Sequence, residues 1–453
     1  MVVVAIAATL LALAGALATA AAVSGAFSAN GWTTRLPMLG LTVNVPGLLR
    51  LATSPLGRRL LDGRALNSPI GQLRLARHDR ALIVFCAPCR FNDPRLASQT
   101  VTIPALELRL TAAGPRRIDG ALSVAGTTLT LVADLHVSGV DLAWELAASD
   151  VAPLVRLFAA AVPEAQRAQI DGRIRAYGKL HLPSLRAASS MDIDGFAVSG
   201  LGTETLQTGL FEHGCRAAGG RMTAQLNGGG TRHWIALEAL GLRLPAAVIG
   251  AEDQRFYAHA GIDTQELDGV LASIDLREMR GASTLSQQLA RTLFTGGERT
   301  LARKLRETLY AVEMERTLGK DRIFALYLNT VDWGPGVCGA KAAARAYFRK
   351  SPAQLSTLEA AWLAGALRNP YIAYDSEFRR SAPDLQRAHW VVRQMRDLPR
   401  AERNLALRGW LEFPGAARGA PRGQAADSAS IAGASFVESP HDSGVMVRSS
   451  GRH

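Results

Sequence analysis

The residues best placed to do chemistry are two carboxylates, Glu252 and Glu307, separated by a polar Ser/Thr/Gln segment and flanked by basic groups. The first opens the run Glu252-Asp253-Gln254-Arg255-Phe256-Tyr257-Ala258-His259-Ala260-Gly261, and the second ends the cluster Arg303-Lys304-Leu305-Arg306-Glu307. Together they point to sugar chemistry beside a phosphate. Glu252 follows Ala247, Val248 and Ala251, which share one face of a helix begun near Pro245. A carboxyl emerging from apolar surroundings has its charged form disfavoured, which moves its pKa toward the range useful for proton transfer. The plainer alternative is a capping Glu, or one paired with Arg255.

Between the two clusters lies Gly281-Ala282-Ser283-Thr284-Leu285-Ser286-Gln287-Gln288-Leu289-Ala290-Arg291. Ser283 or Thr284 can cap a helix there, and such an N-terminus offers N–H groups to an anion, so hydroxyls and amides could hold a sugar or a diphosphate. A capped surface helix is the bland reading. Thr300 then opens a helix whose stripe Leu301, Leu305, Leu309 and Val312 has helical spacing. Arg303 and Lys304 stand four and three residues before Glu307, on one flank. This is either a surface ion pair of about 0.3–0.5 kcal/mol, or a carboxylate beside two cations suited to a diphosphate or a metal bridging to it.

The elements that must position these groups form a multidomain chain of 453 residues, 48% hydrophobic. Residues 1–30 include an uncharged Ala/Leu/Val-rich run about long enough to cross a hydrocarbon core, and read as a transmembrane anchor or signal; small-residue patterns such as Ala20-Ala21-Ala22 leave cleavage open. Residues 31–215 read as a β-rich domain: Leu106, Leu108 and Leu110, then Leu129, Leu131 and Ala133, then Leu142, Trp144 and Leu146 alternate with polar residues. A short helix capped by Asp150 interrupts it. Gly219-Gly220 and Gly228-Gly229-Gly230 mark a flexible linker over 216–231, helical periodicity holds over 232–396, and 397–453 reads as a disordered tail.

A net charge of +12 with an apolar leader favours a membrane surface or phosphate substrate. No zinc-finger, RNA-recognition or basic-zipper signature is present, so nucleic acid is not an expected partner. Cys86 and Cys89 have redox-motif spacing but follow a strand-like run, and a short structural disulfide in an oxidising compartment is the expectation.

The helical region resembles the peptidoglycan glycosyltransferases of family 51, found as monofunctional transglycosylases and as the polymerising domain of class A penicillin-binding proteins. Five motifs occur in order: Glu252-Asp253-x-x-Phe256-x-x-His259-x-Gly261; Gly281-x-Ser283-Thr284-x-x-Gln287-Gln288-Leu289; Arg303-Lys304-x-x-Glu307; Lys320-x-x-Ile323 to Tyr327-Leu328-Asn329; and Gly334-x-Gly336-x-x-Gly339 running to Lys350. The chain departs from that pattern at Ala282, Ser286 and Arg291, which replace Gly, Thr and Lys, at Ala325 where a Glu is usual, and at Arg349 where a glycine is usual.

The resemblance implies an α-helical, lysozyme-like domain that polymerises glycan from lipid II. Glu252 would be the general base on the GlcNAc 4-hydroxyl, and attack at MurNAc C1 would invert it. Glu307, Lys304, Arg303 and Arg291, with a divalent cation (Mg or Mn) near Glu307, would steady the departing undecaprenyl diphosphate. Ser283, Thr284, Gln287 and Gln288 would line the donor site; Asp253, Phe256, His259 and Asn329 would shape the motifs. No organic cofactor is implied. The implied location is the bacterial inner membrane with the catalytic domain in the periplasm, among other cell-wall synthesis proteins. No transpeptidase Ser-x-x-Lys signature set is found, so no cross-linking is expected. A glycan hydrolase and a non-catalytic envelope scaffold are the alternatives. The β-rich region, through stretches such as Asp171–Leu180 and Asp192–Phe196, resembles in texture the AsmA-like periplasmic domains.

Overall fold

The structure is a computed structural model describing residues 31–35, 42–184, 186–264, 283–416 and 447–448. The expected anchor over 1–30, the pair Gly281-Ala282 and most of the expected tail lie outside the described residues. Among the described residues no helix is long and apolar enough to cross a membrane. The described residues divide into two compact units: one holds those up to Gly200 with Thr264 and Arg299–Leu305, the other Leu201–Asp263, Ser283–Glu298 and those from Arg306.

The first unit is β-rich, as the alternation requires. A hairpin of β1 (Thr33–Arg35) and β2 (Thr42–Asn44) leads into α1 (Val45–Thr53) and α2 (Pro55–Leu61). Both helices are opened by a capping side chain, Asn44 or Ser54, with proline in the first turn. Strands β3 (Ala65–Ser68), β4 (Gly71–His78), β5 (Ala81–Cys86), β8 (Leu106–Ala112), β9 (Arg117–Val124), β10 (Thr127–Leu135), β11 (Val140–Asp150), β12 (Gln169–Leu182) and β13 (Arg186–Ser199) pair in the order β13-β12-β11-β10-β9-β8-β5-β4-β3. A separate pair, β6 (Cys89–Phe91) and β7 (Val101–Ile103), follows the Cys86–Cys89 disulfide. Register places Leu108 opposite Leu122, Leu122 opposite Leu129 and Leu129 opposite Leu146, so the alternating leucines share one face. Helix α3 (Val151–Arg156) forms where expected, although the Asp150 side chain makes no capping hydrogen bond, and the short α4 (Glu164–Arg167) follows it.

The second unit begins earlier than the sequence suggests. The glycine-rich stretch is a turn region, not a free linker: β14 (Leu210–Arg216) and β15 (Met222–Asn227) form a hairpin across Gly219-Gly220, joined on β14 by β16 (Val447–Arg448). A disulfide from Cys215 to Cys338, unforeseen in the sequence, ties this hairpin to the helical core 123 residues away. Leu206 and Phe211 are buried in that same core, which is why the β domain ends near residue 200 rather than 215.

The helices are α5 (Arg243–Glu252), α6 (Leu285–Ala290), α7 (Leu301–Thr317, whose first residues group with the β unit), α8 (Lys320–Thr330), α9 (Ala340–Phe348), α10 (Thr357–Ala366), α11 (Leu385–Gln394) and α12 (Arg400–Ala406). Their apolar faces meet around Phe256, Phe324, Tyr327, Trp333, Tyr347, Phe348 and Trp362. Here too the sequence reading needs correction, because order continues past residue 396: Leu398, Leu411 and Phe413 are buried, and the Phe413 ring sits 4.7 Å from that of Trp362. Apolar anchors spaced too irregularly to read as periodic hold this segment down. Arg349, where a glycine is usual, ends α9 in the left-handed region at φ 54°, and its Nε donates to the Pro414 carbonyl at 2.7 Å.

Candidate active site

Helix α5 carries Glu252 at its last position, after a face of Leu244, Ala247 and Val248 that is fully buried. Burial raises the Glu252 pKa above the ordinary carboxylate value; the Gln288 hydrogen bond and the charges of Arg387 and Arg291 act against that rise, and Asp253 adds to it. Gln288, projecting from α6, donates from Nε2 to Glu252 Oε2 at 2.9 Å. Its Oε1 accepts the Tyr327 hydroxyl at 3.1 Å. Tyr327 is buried and its pKa lies well above the phenol value, so it stays a neutral donor. Tyr327 and Gln288 therefore form a relay that fixes the amide's orientation and presents an N–H to the carboxylate.

Asp253 and His259 build the turn after α5. Nε2 of His259 lies 3.1 Å from both Asp253 oxygens, and Asp253 Oδ2 also accepts the Leu285 amide at 2.9 Å. Since a carboxylate only accepts, the His259 proton facing it must be on Nε2. Thr284 donates to the Gly261 carbonyl at 2.7 Å and forms a capping box with Gln287. Gly261 itself sits at φ +87, where an added Cβ would come within 3.0 Å of the Ala311 carbonyl carbon. Phe256 is buried against Phe324 at 5.6 Å, with Lys320 Nζ 4.3 Å above its ring.

These contacts revise the expected donor site. Thr284 and Gln287 are buried, and their polar groups serve the cap, Gly261 and, for Gln287, Thr308 at 3.1 Å. The start of α6 likewise gives its Leu285 amide to Asp253, so that amide does not await an anion. Gln288 holds the Glu252 carboxylate. Ser283, half-buried at the mouth of α6, keeps its place as a candidate contact.

Arg291 begins a wider π turn, Arg291–Thr295, directly after α6. Such turns redirect side chains, often at functional positions. Thr300 caps α7 through the Arg303 amide at 3.1 Å, as its sequence position suggests. Glu307 is buried on α7 in the helical unit, whereas Arg303 and Lys304, one turn earlier, group with the β unit. Asn329 proves architectural: Oδ1 accepts the Ile235 amide at 2.8 Å while Nδ2 donates to the Ile235 and Ala325 carbonyls at 2.9 and 2.8 Å. Two participants escaped the sequence reading. Tyr327 sits inside a quoted motif with nothing local to mark its role, and Arg387, whose charge acts on Glu252, lies on α11 beyond every motif.

A desolvated carboxyl braced by a neutral Gln288–Tyr327 relay within a helical domain has the features that general acid–base chemistry requires. A model of the transglycosylase family matches residues 219–396. The chain is 43% identical over 172 residues to a biosynthetic peptidoglycan transglycosylase of Shewanella amazonensis, covering 37% of this chain and 68% of that one. It is 44% identical over 169 residues to the protein of that description from Aeromonas hydrophila, covering 36% and 70%. The chain belongs to the peptidoglycan transglycosylase family and is a glycosyltransferase.

Proposed function

We propose that this protein polymerises peptidoglycan glycan strands from lipid II. Glu252 accepts the proton of the acceptor's GlcNAc 4-hydroxyl as that oxygen bonds to MurNAc C1 of the donor. The C1–oxygen bond to undecaprenyl diphosphate breaks on the opposite side and the diphosphate leaves with the electron pair, so the anomeric configuration inverts. Arg291 balances the charge that develops on the leaving group, and Ser283 contacts the donor.

Among the described residues no group of three or more His, Cys, Asp or Glu could cage a metal. A divalent ion such as Mg or Mn would be held mainly by substrate phosphates, with Glu307 as the candidate protein carboxylate, and would supply charge neutralisation. The apolar leader supports placing the protein at the inner membrane, with its catalytic unit on the periplasmic side.

The observation that carries this reading is the raised, Gln288-oriented carboxyl of Glu252. Labelled lipid II should be converted to polymer by the wild type and left unchanged by Glu252→Gln. Undiminished polymer from that variant, or release of reducing ends from preformed glycan in place of polymer, refutes the proposal.

A further inference from the structure

The β unit carries a trough of about 700 Å³ on its polar face, formed across β10 to β13. Register puts its side chains on one side of the sheet: Thr130 opposite Glu145, Ala143 opposite Lys179, Glu145 opposite Tyr177, and Tyr177 opposite Ser190. The floor is low and apolar, made by Val132, Ala143 and Ala188. Tyr177 rises from it 51% exposed, and among the described residues no ring or cation packs on its face. Around it stand hydrogen-bonding groups. Glu145 and Arg175 neutralise each other at 3.2 Å, which leaves Lys179 as a cation with no ion pair among the described residues.

We propose that this trough is a second glycan site, separate from the catalytic one, that takes a saccharide bearing a carboxylate. A pyranose ring presents a face of C–H groups that stacks on a flat aromatic ring, and its equatorial hydroxyls and acetamides reach outward to flanking donors and acceptors. Tyr177 over a floor of alanine and valine supplies the stacking surface, Glu145 and Arg175 supply the edge, and Lys179 pairs with the acid. A lipid tail would leave this ion pair and the lysine desolvated without compensation, which the same chemistry disfavours. The proposed activity makes a glycan whose muramic acid carboxyl is tied up in an amide to the stem peptide, so the acid-bearing saccharide that fits this trough is glycan already freed of peptide rather than nascent product. The trough's binding chemistry does not depend on that activity.

The test is calorimetric titration of the full chain in detergent with a tetrasaccharide of alternating N-acetylglucosamine and N-acetylmuramic acid. Chitotetraose serves as the acid-free control and phosphatidylglycerol vesicles as the lipid control. Tyr177→Ala should weaken tetrasaccharide binding about tenfold and Lys179→Gln about fivefold, while Tyr177→Phe retains it. Ala188→Glu, which fills the floor and opposes the acid, should abolish it. These positions are on the sheet surface, so circular dichroism and the initial rate of lipid II polymerisation should stay at wild-type values, and Glu252→Gln should bind the tetrasaccharide as the wild type does. Equal binding by wild type, Tyr177→Ala and Ala188→Glu overturns the proposal, as does binding of vesicles in preference to either saccharide. Loss of polymerisation in Glu252→Gln alone bears on the catalytic reading and leaves the trough intact.

Discussion

Replacing Gln288 with methionine removes the amide that donates to Glu252 while keeping the chain length and apolar stem that pack in α6. The bond lost is to a charged acceptor at 2.9 Å, a kind that contributes about 1.5–3 kcal/mol. It stabilises only the ionised carboxylate, so its loss raises the Glu252 pKa further in the direction burial already drives it. Fewer enzyme molecules then carry an ionised base, and kcat/KM on the acidic limb should fall about 10- to 150-fold at 1.4 kcal/mol per decade. At pH values high enough to ionise Glu252 in both proteins, the two profiles should converge.

Tyr327→Phe provides the graded companion. It removes a neutral hydrogen bond to Gln288, worth about 0.5–1.5 kcal/mol, and should lower the acidic limb about 2- to 10-fold. The assay is the initial rate of lipid II polymerisation between pH 5 and 9. If Gln288→Met lowers the rate by one factor at every pH, the amide does not act through the ionisation of Glu252. A larger acidic loss in Tyr327→Phe than in Gln288→Met would likewise refute the relay.

Glu252 is harder to ionise in the folded chain than in the unfolded one, so its ionisation opposes folding above the ordinary value of 4.5. Glu252→Gln should accordingly raise the thermal midpoint at pH 7 to 8, and the gain should vanish as pH falls below the ordinary value. Converting Cys215 and Cys338 to alanine opens a closure of 123 residues and should cost about 2–5 kcal/mol in urea unfolding, with wild type in reductant behaving alike. Asn329→Leu leaves the half-buried amide and carbonyl of Ile235 without their side-chain partner and should lower stability by about 1–3 kcal/mol in the same measurement. Arg349→Gly relieves a left-handed backbone worth about 1–2 kcal/mol but loses the bond to Pro414, so its urea midpoint should shift by less than about 1 kcal/mol equivalent.

Much of the fold was legible because it follows periodicity. The alternating leucines of β8, β10 and β11 had to share a face, and the Leu301 to Val312 stripe had to be a helix. What periodicity does not encode was missed. Gly219-Gly220 looks like a hinge in isolation; it is a hairpin turn because Asn227 donates to the Asn329 carbonyl at 2.8 Å and Cys215 reaches Cys338, and both partners lie over a hundred residues downstream. The segment after residue 396 has too few apolar residues for a pattern, yet each of Leu398, Leu411 and Phe413 finds a place in the core.

The same distinction separates the site residues. Residue type at fixed spacing identifies a polar cluster, but it does not say which polar groups face solvent and which face each other. Asp253, His259, Thr284 and Gln287 belong to one polar cluster, and in the folded chain the first three join the end of α5 to the start of α6 through the Leu285 amide and the Gly261 carbonyl, while Gln287 fastens that start to Thr308. Gln288 has the same type and lies one residue further along, on a different side of the helix, which turns it to Glu252. The consequence, among the described residues, is a site in which few of these groups remain to touch substrate directly. A short helix held at both its cap and its first amide fixes where Glu252 and Arg291 can stand, so substitutions in the supporting groups should reduce activity by displacing Glu252, with little selectivity among substrates.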